Sequence, residues 1–208
     1  MSISGPSRTI ASEDIAGDPE FRHLSSIAGI AVDLRYATPN NFIGRDLYSP
    51  YDCAWLHVDA AAALARVVAW LAERRPGCTA LILDALRPQR VQQQLWDALD
   101  GTDLQMYLAN PVRGSIHSYG MALDITILDE QGRELDMGTG FDDMTELSHP
   151  ALEDAHLAAG QLTEQQLANR LLLREAMHYA GFVGIRTEWW HFDCGDRELV
   201  RQTFRRVL

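Results

Sequence analysis

Cysteine, basic charge and long apolar runs are all in short supply in this chain, and each shortage excludes something. Cys53, Cys78 and Cys194 are the only three cysteines, widely spaced and odd in number. They make no disulfide framework and no C-x-x-C clip for a metal. Lysine and arginine total 18 against 29 Asp and Glu, a formal net charge of −11. Phosphate backbones need a basic surface, so no nucleic-acid partner is expected, whereas a small zwitterion held in a pocket is compatible with that charge. No stretch nears the ~18 apolar residues of a spanning helix, so no membrane span is expected. Residues 1–21 lack the basic start and apolar core of a signal peptide, and the expected location is cytoplasmic.

What remains is an ordinary globular chain of 208 residues, 47% apolar and 23% charged. That is enough for one substantial core and short for two. A single domain over 1–208 is expected, with residues 1–25, which carry Gly5, Pro6, Gly17 and Pro19, running over its surface. Nothing in the sequence sets an oligomeric state. "IAVDLRYAT" (29–37) alternates like a strand, and Val58, Leu64, Val67, Val68 and Leu71 recur at helical spacing up to the stop at Pro76-Gly77. "TALILDA" (79–85) suits a buried strand, and Pro88 the first turn of a second helix. Residues 121–128 read as a strand, with "DEQGRELDMG" as a hairpin returning to the sheet. Thr163 and Gln166 form a capping box for a helix that Gly181 closes, and "GFVGIRTEWWHFD" reads as a final core strand. Without regular βαβ alternation the fold class is α+β, a mainly antiparallel sheet with helices packed on one face.

Two places break the apolar pattern. In "SIHSYGMALDITIL", a period of two puts Leu123, Ile125 and Ile127 on one face of the strand and Ala122, Asp124 and Thr126 on the other. Taken alone, Asp124 reads as a surface residue, because aspartate is rarely buried unpaired. In "TEWWHF", Glu188 and His191 flank two tryptophans. A neutral histidine in an aromatic core is ordinary, but a buried glutamate must be shifted, paired or near a cation. Taken together, His117, Asp124 and His191 offer two imidazoles and one carboxylate, the donor set of a three-ligand catalytic zinc with an open position. Glu188 would then be the base that takes a proton from water. No H-E-x-x-H motif is present. Residues three apart on a regular strand face opposite ways, so a bulge, bend or strand end is predicted near Trp189–Trp190. Arg87, in "LDALRP", stands where a strand ends: a surface salt bridge if isolated, an oxyanion stabiliser if it shares the site.

The pattern S-x-H-x-x-G-x-A-x-D (Ser115, His117, Gly120, Ala122, Asp124) and E-x-x-H (Glu188, His191) resembles the zinc D,D-peptidases that share a fold with the Hedgehog signalling domain. The finer resemblance is to the D-alanyl-D-alanine dipeptidases. "DLRYATPNNF", "DALRP", "MGTGFDDMTELSH" and "NRLLLREAMHYAGF…EWWHF" look like that family's blocks in order, across residues 29–192, while the chain after Asp193 does not follow the family's ending. The resemblance implies one zinc per chain on His117, Asp124 and His191, Glu188 as base and later proton donor, and Arg87 at the oxyanion. It also implies that Ser115 and Asp142 hold the dipeptide, Asp142 by gripping its free ammonium. A longer chain lacks that ammonium and would leave Asp142 desolvated and unpaired, which discriminates strongly.

The expected activity is therefore zinc-dependent hydrolysis of D-alanyl-D-alanine to two D-alanines. Two alternatives stay open: a D,D- or L,D-carboxypeptidase acting on peptidoglycan stem peptides, and a zinc-stabilised binding module without turnover. His23, His57, His156 and His178 have no chelating companion and read as surface or helix-face residues. Trp55, Trp70 and Trp96 read as core, Cys194 as no ligand, and His149 as ordering a loop.

Overall fold

The computed structural model describes residues 9–208. Along the chain the regular elements are β1 (Thr9–Ile10), β2 (Phe21–His23), β3 (Ile30–Val32), β4 (Trp55–His57), α1 (Val58–Arg74), β5 (Thr79–Asp84) and α2 (Gln89–Ala98). They continue with β6 (Ala122–Leu128), α3 (Glu153–Ala158), α4 (Glu164–Tyr179), β7 (Phe182–Gly184), β8 (His191–Cys194), α5 (Arg197–Thr203) and β9 (Arg206–Val207). Short 3-10 turns fill several connections. The fold is mixed α+β. Its main sheet runs β3-β5-β6-β8-β7; β3 and β5 are parallel, and the other three pairs are antiparallel.

The amphipathic stripe of α1 buries Ala60, Leu64, Val67 and Leu71, and α4 buries Leu173, Ala176 and Met177. The two helices pack on each other, α1 against β5 and β8 and α4 against β7. The core they close includes Leu123, Ile125 and Ile127 of β6, all fully buried. The capping box on α4 forms as predicted, with Thr163 accepting from Gln166 N–H and the Gln166 side chain returning the bond. Gly181 follows in left-handed conformation at φ 88°. Of the N-terminal segment expected on the surface, residues 1–8 lie outside the described residues. Beyond them, β1 pairs in parallel with β9, and β2 pairs with β4.

Four local readings change. The strand expected over 29–37 ends at Val32 and gives way to a 3-10 turn at Arg35–Ala37. "DEQGRELDMG" turns back, but only Leu128 and Glu134 pair, so no second strand forms. Pro88 is the residue before the first turn of α2 rather than within it. "GFVGIRTEWWHFD" is two strands, β7 and β8, paired with each other and separated by the loop 185–190.

Strand register is what positions the site. Asp124 of β6 lies opposite His191 of β8 on one side and opposite Asp84 of β5 on the other. Directly opposed residues share a face, so three polar side chains from three strands emerge together. Asp84 reaches this row only because the register slips between Ile82 and Asp84, a bulge that re-aims the end of β5.

Candidate metal centre and its cavity

His117 enters the site from a 3-10 turn, Ile116–Tyr119, that Gly120 terminates at φ 65°. A Cβ at Gly120 would lie 2.7 Å from the backbone nitrogen of His57, so only glycine fits there. The turn points the imidazole at β6 and β8. His117 Nε2 lies 3.1 Å from His191 Nδ1 and 3.4 Å from Asp124 Oδ1, and His191 Nδ1 lies 3.0 Å from the same oxygen. Three donor atoms, all within 4.8 Å of one another, thus converge from a turn and two strands. The surface reading of Asp124 is overturned: it is 2% exposed.

The outer faces of the ligand set are also held. His117 Nδ1 is 2.7 Å from the Ala85 carbonyl, and His191 Nε2 is 2.9 Å from Asp193 Oδ1. Those bonds place a ring proton on each outer nitrogen, the arrangement in which Nε2 of His117 and Nδ1 of His191 are the atoms able to ligate. Burial works against a charged His191, but Asp193 and Asp124 outweigh it and raise its pKa to about 10. Burial likewise opposes ionisation of Asp124, yet His117 and His191 hold it well below the usual carboxylate range. A pocket that favours positive charge, with two imidazole nitrogens and one carboxylate oxygen as donors, fits a divalent zinc ion.

Arg87 is buried rather than a surface ion pair. Its Nε donates to Asp84 Oδ2 at 2.8 Å, Nη1 to Gln92 Oε1 at 3.2 Å and Nη2 to Asp124 Oδ2 at 3.1 Å. Asp84 is gripped in turn by the Tyr48 hydroxyl and the Ala85 N–H. The guanidinium also lies over the Tyr36 ring, 5.0 Å from its centroid. Nη2 also lies 2.7 Å from Asp84 Oδ2, so four of its five N–H donors are engaged and one on Nη1 is left over.

Glu188 sits on the loop between β7 and β8, where the chain bends at Trp189 and Trp190. Because β8 begins only at His191, the two residues can face one cavity although they are three apart. That loop is tied down by Trp189 Nε1, which donates to Thr139 Oγ1 at 2.9 Å. Burial pushes Glu188 up to about 7, with Asp124 adding to the rise and His191 and Arg87 opposing it.

Asp142 is on a second loop, held by the fully buried Arg170 of α4, which donates to the carbonyls of Met137 and Leu147. It is the one non-glycine residue with positive φ (60°) among the described residues, and Tyr36 donates its hydroxyl to Oδ2 at 2.8 Å. Burial raises Asp142 well above its ordinary value. His117, Asp124, His191, Glu188, Arg87, Ser115 and Asp142 all line one cavity of about 1020 Å³.

The residues set aside behave mostly as expected. His23 bonds Ser25 and Asp52, His156 bonds Gln161 and the Glu146 carbonyl, His178 is exposed and Cys194 lies off the cavity. His57 is a correction: it is buried, and its Nδ1 accepts from Asp59 N–H as the cap of α1. His149 Nε2 is 2.8 Å from the Tyr107 hydroxyl, joining two loops at the rim. Trp55, Trp70 and Trp96 are half-buried and away from the cavity; the tryptophan that lines it is Trp190. Asp84, Asp193, Tyr36 and Tyr48 were not singled out from the sequence. Asp84 stood inside the quoted "LDALRP", but only the structure shows that it clamps Arg87.

A family profile of M15 peptidases, described as D-ala-D-ala dipeptidase, matches residues 20–207. The chain belongs to this family. The match also takes in the segment after Asp193, which had been read as departing from the family's ending. Among curated proteins, the chain is similar to a D-alanyl-D-alanine dipeptidase of Escherichia coli K12, 40% identical over 79% of this chain and 78% of that protein. It is also similar to proteins of the same name from Synechocystis (33%, over 61% of this chain and 64% of that protein) and Enterococcus faecium (28%, over 88% and 96%). As a member of this peptidase family, the chain is an enzyme. None of its described helices is long and apolar enough to cross a membrane.

Proposed function

We propose that the protein is a zinc-dependent dipeptidase that hydrolyses D-alanyl-D-alanine to two D-alanines. The observation that carries this reading is Glu188: a carboxylate facing the cavity beside the His117–Asp124–His191 set, with no hydrogen-bond partner among the described residues. A group that stabilises nothing in the fold, and whose ionisation is suppressed, is poised to take a proton.

His117, Asp124 and His191 would hold one zinc ion per chain, which would supply Lewis acidity to the water and the scissile carbonyl. Glu188 takes the proton as water attacks and returns it to the departing amine, so the base is regenerated. Arg87, immobilised by Asp84, Asp124 and Gln92, turns its spare N–H toward the carbonyl oxygen as negative charge develops there. Asp142, kept in place by Tyr36, pairs with the substrate ammonium, and Ser115, buried at the start of the His117 turn, helps seat the peptide. An Asp142 carboxylate left buried and unpaired when the substrate has no free ammonium would make the ammonium a requirement, which disfavours acylated stem peptides. A binding module without turnover would need neither an unpartnered Glu188 nor a clamped Arg87. We read residues 1–208 as one domain of the Hedgehog-type zinc peptidase architecture. The three unpaired cysteines fit the reducing cytoplasm, where the substrate is a cell-wall building block.

Metal analysis paired with assays on D-Ala-D-Ala, L-Ala-L-Ala and N-acetyl-D-Ala-D-Ala tests this. One zinc per chain and D-alanine release from the free D,D-dipeptide alone are expected. Equal turnover of the acetylated dipeptide would remove the role given to Asp142, and no release from any of the three would overturn the proposed activity.

A further inference from the structure

Asp193 is 3% exposed and carries no role in the chemistry above, yet it is the second residue after a proposed ligand. Its two oxygens do different things. Oδ1 is 2.9 Å from His191 Nε2, and Oδ2 accepts from Nε–H of Arg197 at the start of α5. The Arg197 side chain is 47% exposed at the cavity wall, so its contact with Asp193 is the inner end of a bridge from solvent to the ligand imidazole. The two imidazoles are supported differently. His117 leans on a backbone carbonyl that no substitution can remove, whereas His191 depends on a side chain.

His191 can ligate through Nδ1 only if its proton is on Nε2. We propose that Asp193, clamped by Arg197, is the positioning residue that keeps the His191 proton on Nε2 and the Nδ1 lone pair directed at the metal. This rests on the reading of His191 as a zinc ligand. Both groups facing Asp193 are donors, and a carboxylate satisfies both because each of its oxygens accepts. An asparagine cannot. Arginine never accepts, so the single amide oxygen turns to Arg197 and the amide N–H turns to His191 Nε2. The imidazole answers by accepting there, and its proton moves to Nδ1, the atom that has to bind metal. Removing Arg197 frees the amide to rotate and restores the acceptor.

The test is a zinc titration of the full-length protein against a competing chelator, with Asp193→Asn, Arg197→Met and the double variant. Asp193→Asn is expected to weaken zinc binding by ~10- to 100-fold, the usual consequence of losing such an outer partner. Arg197→Met should stay within about threefold of wild type, and the double variant should bind several-fold more tightly than Asp193→Asn. A carboxylate that merely supported the fold would show no such recovery. Wild-type affinity in Asp193→Asn, or a double variant no better than the single one, overturns the inference while leaving the ligand assignment intact. Absence of stoichiometric zinc in wild type overturns both. Should Asp193→Asn fail to fold, the wild type loaded with zinc and labelled with 15N-histidine decides the matter. Its His191 Nε2 proton should be hydrogen-bonded and slow to exchange, and free exchange with solvent overturns the proposal.

Discussion

Asp124 stands in the middle of β6, paired with β5 on one side and β8 on the other; Glu188 stands on the loop between β7 and β8, outside the ladder. Asp124 is buried and Glu188 half-buried, and both face the same cavity. The strand carboxylate meets His117, His191 and Arg87 and is held ionised. The loop carboxylate meets no hydrogen-bond donor among the described residues, and burial pushes it up to about 7. Two carboxyl groups are thereby driven apart, one held as an anion and one raised toward its protonated form, and the difference lies in what the backbone lets each approach. A central strand brings neighbours at both edges. A loop anchored at Trp189 holds its side chain in place without supplying a partner.

The largest effect should come from breaking the strand side. Asp124→Ala removes a proposed ligand and leaves Arg87 and the imidazoles facing one another, so zinc content and hydrolysis should both vanish. Stability should fall by about 3–5 kcal/mol, the usual cost of orphaning a buried charge, lowering Tm by about 10 °C; elemental analysis and thermal unfolding check both parts. Glu188→Ala should separate the two roles: kcat drops by ~10²- to 10⁴-fold, the worth of a positioned base, while one zinc per chain remains. Retained activity would refute the assignment of the base.

The smallest effect sharpens the comparison through pH. In the metal-free protein the folded pKa of Glu188 lies above its unfolded value of 4.5, so the folded state binds this proton more tightly. The stability it contributes is fully present below about 4.5 and is lost as pH rises through about 7. Glu188→Gln removes that loss. The variant should therefore melt above wild type at pH 8 and together with it at pH 4. A constant offset at both values would show that the raised pKa is not the cause.

Much of the site was legible because its residues break local rules. A histidine, a glycine and an aspartate interrupt a strand pattern, and Glu188 and His191 sit at a spacing that no regular strand can point one way. That second conflict predicted a bend near Trp189–Trp190, and the chain bends there. Arg87 was harder to read, since a lone arginine after a strand is ordinarily a surface ion pair, and its burial follows from Asp84 and Gln92, partners in its own segment, together with Asp124 from another strand. His57 was misread for the same reason, because burial at the head of α1 depends on β2 and on Phe204 packing against its ring. The predicted hairpin after β6 turns back onto the sheet, but its return segment makes one bridge and no ladder, so no second strand forms.

By itself the sequence determined the helices α1 and α4, the strands β5 and β6, and the chemical types of the donors, since periodicity, capping and residue identity are local properties. Only the tertiary structure decided that Asp84, Asp124 and His191 share one row of the sheet, that Asp193 backs one imidazole and Ala85 the other, and that Glu188 is left without a hydrogen-bond partner among the described residues. Those outcomes depend on register and loop anchoring between segments up to 107 positions apart, and hydrogen-bond partners are chosen by proximity in space rather than order along the chain.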